Sequence, residues 1–409
     1  MFGTIFSLVI AGLLFFFGNS LNSLNDISWL PIVMIGVPAL FLIGQTFIIL
    51  FSWIPLQKAE VSLTSHVVDT FNKDISLHIT YIGMILFLFL SILMAIDYTV
   101  LKSLPNSQLI ILWIILLGVA VDLKIGAVRR ITKYLNPFEV VNMFANRADA
   151  SIRNSNDLEL CNWIDSLTET AIKAIDRKST SLTIHSMNKL GEVIKKYLEA
   201  EKSLSHKEET EKEQVGVSDP ISFMLFFIFQ RLEMINQRAI HERLEPICSD
   251  LMSLLGKIAV YATQFDVTLA GFPIHYMGKF AKQAQQHRLQ EVAERASLTL
   301  VEVGKSILDD KNLQYLEIKD PFLSIISHMD NIAKETFRKN KETNIKLLVQ
   351  PFRDLKTFFS VENVATHRDT PQILQSIDRV IEEFVTLETV MMSMPPISQL
   401  IPPAPEEQE

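Results

Sequence analysis

Charge is nearly absent from two long stretches near the start of the chain, and this segregation constrains the fold more than any motif. Between Met1 and Leu56 the only charged side chain is Asp26, and between His78 and Val121 only Asp97 and Lys102 interrupt apolar sequence. Four apolar runs result, over residues 2–18, 29–54, 79–100 and 109–121, the last extendable past Asp122 to Val128. A helix rising about 1.5 Å per residue needs about 20 residues to cross roughly 30 Å of hydrocarbon. The second and third runs meet that length alone. The first is marginal, and the fourth needs Asp122 and Lys124 at its mouth, where both side chains can snorkel to the interface. The expectation is a membrane block of four transmembrane helices over residues 1–134.

The first run lacks the basic flank of a signal peptide, and Gly18-Asn19-Ser20-Leu21-Asn22-Ser23 is a poor cleavage site, so an uncleaved helix is expected. Lys and Arg in short loops set orientation. Residues 19–28 carry none, residues 55–77 carry Lys58 and Lys73, residues 101–107 carry Lys102, and the exit of the fourth run carries Lys124, Arg129, Arg130 and Lys133. This distribution implies a multi-pass protein of a cell inner membrane with the N-terminus and the large C-terminal portion cytoplasmic. Polar residues inside such a block are the usual pointers to a pathway, which makes Gln45, Asp97 and Asp122 the possible intramembrane site. The plainer reading is that Asp97 and Asp122 are interfacial and that Gln45, with Thr46, is hydrogen-bonding glue between helices.

Beyond Asn136-Pro137 the chain turns polar, yet apolar residues recur at helical spacing. Leu160, Ile164, Leu167, Ala171 and Ile175 form one such course, Ala296, Leu300, Val303 and Ile307 another. Residues 135–394 therefore read as an all-helical cytosolic domain. Pro220, Pro273, Pro321 and Pro371 each open an apolar-periodic segment, and they lie about 50 residues apart, the length of two helices and their turns. An earlier member is expected to start at Thr180-Ser181. The fold class is all-α, with four transmembrane helices followed by a helical-hairpin repeat resembling a solenoid, or by an irregular helical bundle. Residues 203–216 are a charged interruption, and residues 395–409, rich in Pro and Glu, are expected to be disordered.

No catalytic signature emerges, and the chain is not expected to be an enzyme. His367-Arg368-Asp369 matches the kinase catalytic tripeptide, but no Asn follows in place and no Gly-rich loop precedes it, so Asp369 or Thr370 is expected to cap a helix. His185, His275 and His328 each fall within about two turns of an expected helix start, a recurrence able to line a groove with imidazoles for a metal or a pH response. Without carboxylates at fixed spacing they are read as packing or surface histidines, and no metal or cofactor is expected. Cys161 and Cys248 read as thiols in a reducing compartment. The net charge of −8 argues against nucleic acid as a partner.

Phe51-Ser52, Gln57, Ala59, Val68, Phe71 and Asp74 resemble the corresponding stretch of a bacterial predicted-membrane-protein family, domain of unknown function 2254. The resemblance implies an N-terminal membrane-helix block and a largely helical soluble half, and no activity. The Asn-Asp-Pro helix start of that family has no counterpart after the helix spanning Ile164 to Asp176, where Arg177-Lys178-Ser179 stands instead. The function expected from all of this is a protein-interaction or self-assembly platform at a lipid bilayer, with a protein partner or further copies of itself. The alternative is a small ion channel or transporter gated by the cytosolic domain.

Overall fold

The computed structural model describes residues 2–17, 28–101, 105–208, 220–309, 313–341 and 343–393. The Pro/Glu-rich tail from 395, most of the charged interruption at 203–216, Asp26 and Lys102 lie outside the described residues. Among those described, regular structure is entirely helical. The chain divides into two compact units, Met1–Met143 and Phe144–Glu409.

The first unit contains α1 (Phe2–Phe17), α2 (Leu30–Ser62), the short α3 (His66–Asn72), α4 (Ile75–Ile96), which closes in a π-helical turn Asp97–Leu101, and α5 (Asn106–Leu135). Among the described residues three helices are long and apolar enough to cross a membrane: α2, the helical stretch His66–Leu101 that contains α4, and α5. The 16 residues of α1 span only about 24 Å, short of that length. Met34, Met84, Phe87, Met94, Leu109 and Trp113 fill the space between α2, α4 and α5. Trp113 Nε1 donates to Ser91 Oγ at 3.1 Å inside this core, satisfying two polar atoms that hydrocarbon would otherwise strand.

The division between the units falls inside α6 (Pro137–Arg153). The second unit continues with α7 (Asp157–Asp176), α8 (Thr180–Glu208), α9 (Pro220–His241), α10 (Glu245–Phe265), α11 (Gly271–Gln286), α12 (Gln290–Leu308), α13 (Lys319–Lys339), α14 (Ile345–Phe358), the single turn α15 (Glu362–Ala365) and α16 (Thr370–Ser393). From α7 onward each long helix packs on the next but one, and each except α8 also packs on the next. That rule generates two layers, α7, α9, α11, α13 and α16 in one and α8, α10, α12 and α14 in the other. It is the packing of helix pairs stacked in series.

Pro220, Pro273, Pro321 and Pro371 stand in the first turns of α9, α11, α13 and α16, all in the first layer. Thr180 also opens a helix, but α8 belongs to the second layer, so the expected earlier repeat member is displaced. The first pair begins instead at α7, where Asn156 Oδ1 accepts from Glu159 N at 3.3 Å. Ser or Thr before an apolar-periodic run marks a helix start without saying which layer the helix will join.

The pairs close on the same turn. After α7, α9 and α11 the chain passes through Lys178, Arg243 and Arg288, with φ of 57°, 54° and 64°. In each case the following amide bonds back five residues: Ser179 to Ala174, Leu244 to Ala239 and Leu289 to Ala284. This is the Schellman closure, in which glycine usually occupies the left-handed position. Here basic side chains occupy it, next to the negative end of the helix dipole.

Lateral bonds tie neighbouring first-layer helices. Arg231 pairs with Asp165, Arg238 with Asp176 at 2.5 Å, Lys279 with Glu233 at 2.7 Å, and Lys334 with Glu383 at 2.9 Å. Gln285 Nε2 donates to the Ile332 carbonyl and to Thr336 Oγ1, both at 2.9 Å. The pairs are partly solvated, so their main effect is to fix register between repeats.

Candidate functional site

The polar residues of the first unit do not converge on one point. Along the α4–α5 pair, Asp74 meets Arg130 and Tyr134 while Ser91 meets Trp113, which makes the two helices antiparallel. In that register a Cβ on Gly83 would lie 2.9 Å from Leu123 Cδ1. Asp97 therefore stands beside the start of α5, about 22 Å along the axis from Asp122.

Asp122 has a structural task. Its carboxylate accepts from Gly3 N at 2.8 Å, from Thr4 N at 2.9 Å and from Thr4 Oγ1 at 2.7 Å. A carboxylate in α5 thus caps the N-terminus of α1, where unpaired amides and the positive end of the dipole favour an anion. The sequence reading of Asp122 as an interfacial carboxylate did not include this contact, whose partners lie about 120 residues apart in the chain. Close approach of the helices makes the contact possible. A Cβ on Gly3 would stand 2.7 Å from the Gly118 carbonyl oxygen, and one on Gly118 would stand 2.6 Å from the Gly3 carbonyl oxygen. Gly3 lies at Asp122 and Ser7 at Gly118, so α1 runs antiparallel to α5 on a stripe of small residues.

Lys124 turns inward as well. Its Nζ lies 4.8 Å from the centre of the Phe41 ring and would be 2.9 Å from a Cβ on Gly44. Glycine leaves room for the ammonium beside the α2 backbone, and the ring face attracts it. The next residue, Gln45, is fully buried, and its Oε1 and Nε2 have no hydrogen-bond partner among the described residues. The glue reading of Gln45 is therefore without a bonded partner there, whereas Thr46 Oγ1 bonds back to the Leu42 carbonyl at 3.0 Å. Asp97 is buried at the end of α4 and opens the π-helical turn.

Sequence reasoning missed Asp74, which it named only within a resemblance. Asp74 caps α4 through Ser76 N at 3.0 Å, accepts both contacts of Arg130 at 3.1 and 3.2 Å, and accepts from the Tyr134 hydroxyl at 2.9 Å. An Asp immediately before the apolar run 75–96 was a signal for the cap. Nothing local signalled Arg130 and Tyr134.

In the second unit, His367-Arg368-Asp369 is a structural clasp. His367 is buried; its Nε2 bonds the Leu316 carbonyl at 3.2 Å and its Nδ1 accepts from Asp369 N at 3.2 Å, which assigns the proton to Nε2. Asp369 Oδ2 accepts from Ile318 N at 3.2 Å, so the side chain serves the start of α13, while its carbonyl accepts from Ile373 N at the start of α16. The cap expected at Asp369 is thus shared by two helices. Of the three recurrent histidines, His275 and His328 meet with ring centres 5.8 Å apart, whereas His185 belongs to α8 in the other layer. Cys161 and Cys248 are free thiols. Burial, and then Glu245, pushes Cys248 up to about 12, which leaves it protonated and inert at neutral pH.

No protein-family model matches the chain, and no curated protein matches it. Among solved structures, a circular tandem repeat protein with novel repeat topology and enhanced subunit contact surfaces aligns over 94% of this chain and 95% of its own, at 16% identity and a TM-score of 0.29. A score that low carries no argument, and the fold description rests on the packing above.

Replacing Asp122 by alanine is expected to strip α1 of its cap. Two backbone amides and a hydroxyl lose a charged acceptor. Hydrogen exchange should quicken at Gly3 and Thr4 while α4 stays protected. Unchanged exchange at α1 would show that helix packing alone holds it.

Proposed function

We propose that the chain is an integral membrane protein, without catalytic activity, whose helical repeat unit serves as a platform for a protein partner or for further copies of itself. The supporting observation is an outward apolar strip on α9, where Phe223, Phe226 and Met234 are 63%, 48% and 45% exposed. A stack of helix pairs presents side-chain surface instead of a cleft, and a solenoid of this kind binds along such faces. Exposed aromatics within a charged surface are the composition of an interaction site.

We read α1 as a fourth membrane helix, shortened but held along α5, so that α1, α2, α4 and α5 alternate in direction. Lys58, Lys73, Arg129, Arg130 and Lys133 then lie at one face of the bilayer, a distribution that supports a bacterial inner-membrane block with the N-terminus and the repeat unit cytoplasmic. The likeness to the domain of unknown function 2254 family agrees with this layout and adds no activity.

Photo-crosslinking residues at positions 223 and 226 of the membrane-embedded full chain test the platform. A discrete adduct, with the chain itself or with one partner, supports it. Diffuse labelling equal to that at an exposed polar position in the other layer, such as Glu302, counts against it. The second reading, a small channel or transporter gated by the repeat unit, draws on Gln45 and Lys124, since polar groups within a membrane are retained for function. Ion flux in liposomes that is unchanged by Gln45→Leu would remove this reading.

A further inference from the structure

The α11–α13 step of the repeat differs from its neighbours. Where ion pairs link α9 to α11 and α13 to α16, the facing residues here are His275 and His328. They border a cavity of about 480 Å³ that Gly278, Lys279, Lys282, Gln285, Asn331, Ile332 and Glu335 complete. Gly278 makes the arrangement possible, because a Cβ there would lie 2.1 Å from His328 Nδ1 and 2.4 Å from its Cγ.

We propose that His275 and His328 form a two-histidine site for a borderline divalent metal ion such as Zn²⁺ or Cu²⁺, bridging two successive repeats. The geometry fits. A metal about 2.0–2.1 Å from an imidazole nitrogen lies about 3.2 Å from the ring centre, so two rings can share one ion at centre separations up to about 6.4 Å. The observed separation is 5.8 Å, with the ring planes at 63°. Neither imidazole makes a hydrogen bond within the described structure, so the lone pairs are uncommitted, unlike those of His367.

Lys279 is paired with Glu233 at 2.7 Å and Glu335 with Arg338 at 3.1 Å, and Lys282 also borders the cavity, so the imidazole lone pairs, and not the surrounding charge, select a metal ion. Neutral imidazole is the form that binds metal. Among the described residues no third His, Cys, Asp or Glu completes the set, so water or an exogenous group would fill the remaining positions, as at open sites. Bridging α11 to α13, an ion there would stiffen the stack at its one histidine-faced step.

The test uses full-length protein in detergent, carried on a histidine-free tag, stripped of metal and dialysed against Zn²⁺. One Zn²⁺ per chain is expected, with a rise in the unfolding midpoint, and Cu²⁺ should bind more tightly than Zn²⁺. His275 is exposed, so His275→Ala should leave the metal-free midpoint unchanged while weakening Zn²⁺ at least about tenfold, since even outer-shell losses cost that much. His328→Gln should weaken it likewise. Zn²⁺ binding of unchanged strength in His275→Ala, or none in the wild-type chain up to millimolar metal, would overturn the proposal.

Discussion

Gly118→Leu is expected to detach α1 from α5. At Gly118 the neighbouring atoms are Ser7 Oγ, Ser7 Cβ and the Gly3 carbonyl oxygen, and of these only Oγ can be moved aside by a rotamer change. Extra atoms in a packed interface cost about 1–3 kcal/mol where neighbours can adjust, and here the adjustment available is separation of the helices. Separation also draws Gly3 and Thr4 away from Asp122, so packing and cap are lost together. Lipid replaces α5 against the apolar surface of α1, which keeps the helix in the bilayer and leaves the packing of α2, α4 and α5 in place. Hydrogen exchange should therefore rise over residues 2–17 with little change at Ser91 and Trp113, and Gly118→Ala should show a smaller effect in the same place. Protection of α1 equal to wild type in Gly118→Leu would mean that the crossing is not the contact that holds it.

Asp122 also shows what the sequence did and did not display. Its place at the mouth of an apolar run was legible, and so was the cost of a charge there. Its partner was not, because Gly3 and Thr4 are brought to it by tertiary packing between helices far apart in the chain. Lys124 is similar: its stem suggested snorkelling, and only the gap at Gly44 and the ring of Phe41 show why the ammonium turns inward.

The repeat was legible where proline marked it, since proline at a helix start is a local backbone constraint. Its first member was not, because α7 begins with Asn156 in place of proline and Thr180 supplies an equally good start in the other layer. The shared closures escaped for a related reason. Lys178, Arg243 and Arg288 adopt the left-handed conformation without the glycine that would have announced it. Of the recurrent histidines, helix phase placed all three near helix starts, but only layer membership decided that His275 and His328 would meet.

Phe322→Ala is expected to be the most damaging single change in the second unit. The ring is fully buried, sits edge-on to Phe359 with centres 5.2 Å apart, and lies against Gly304 of α12, where a Cβ would approach its Cε1 to 3.3 Å. One side chain thus joins α13 to α12 and to the end of α14, and truncation costs about 3–5 kcal/mol because the surrounding backbones cannot close the void. In a stack where each helix touches only near neighbours, that loss is local before it is global. Protection should fall in α13, α14 and α16 while α7, α8 and α10 keep theirs, and denaturant unfolding should separate into two transitions. Phe229→Ala, which removes the ring stacked on Tyr276 at 5.0 Å, should place its weak point at the α9–α11 step instead. If both variants lost protection uniformly in one transition, the second unit would be a single cooperative bundle and the serial coupling of its helix pairs would be refuted.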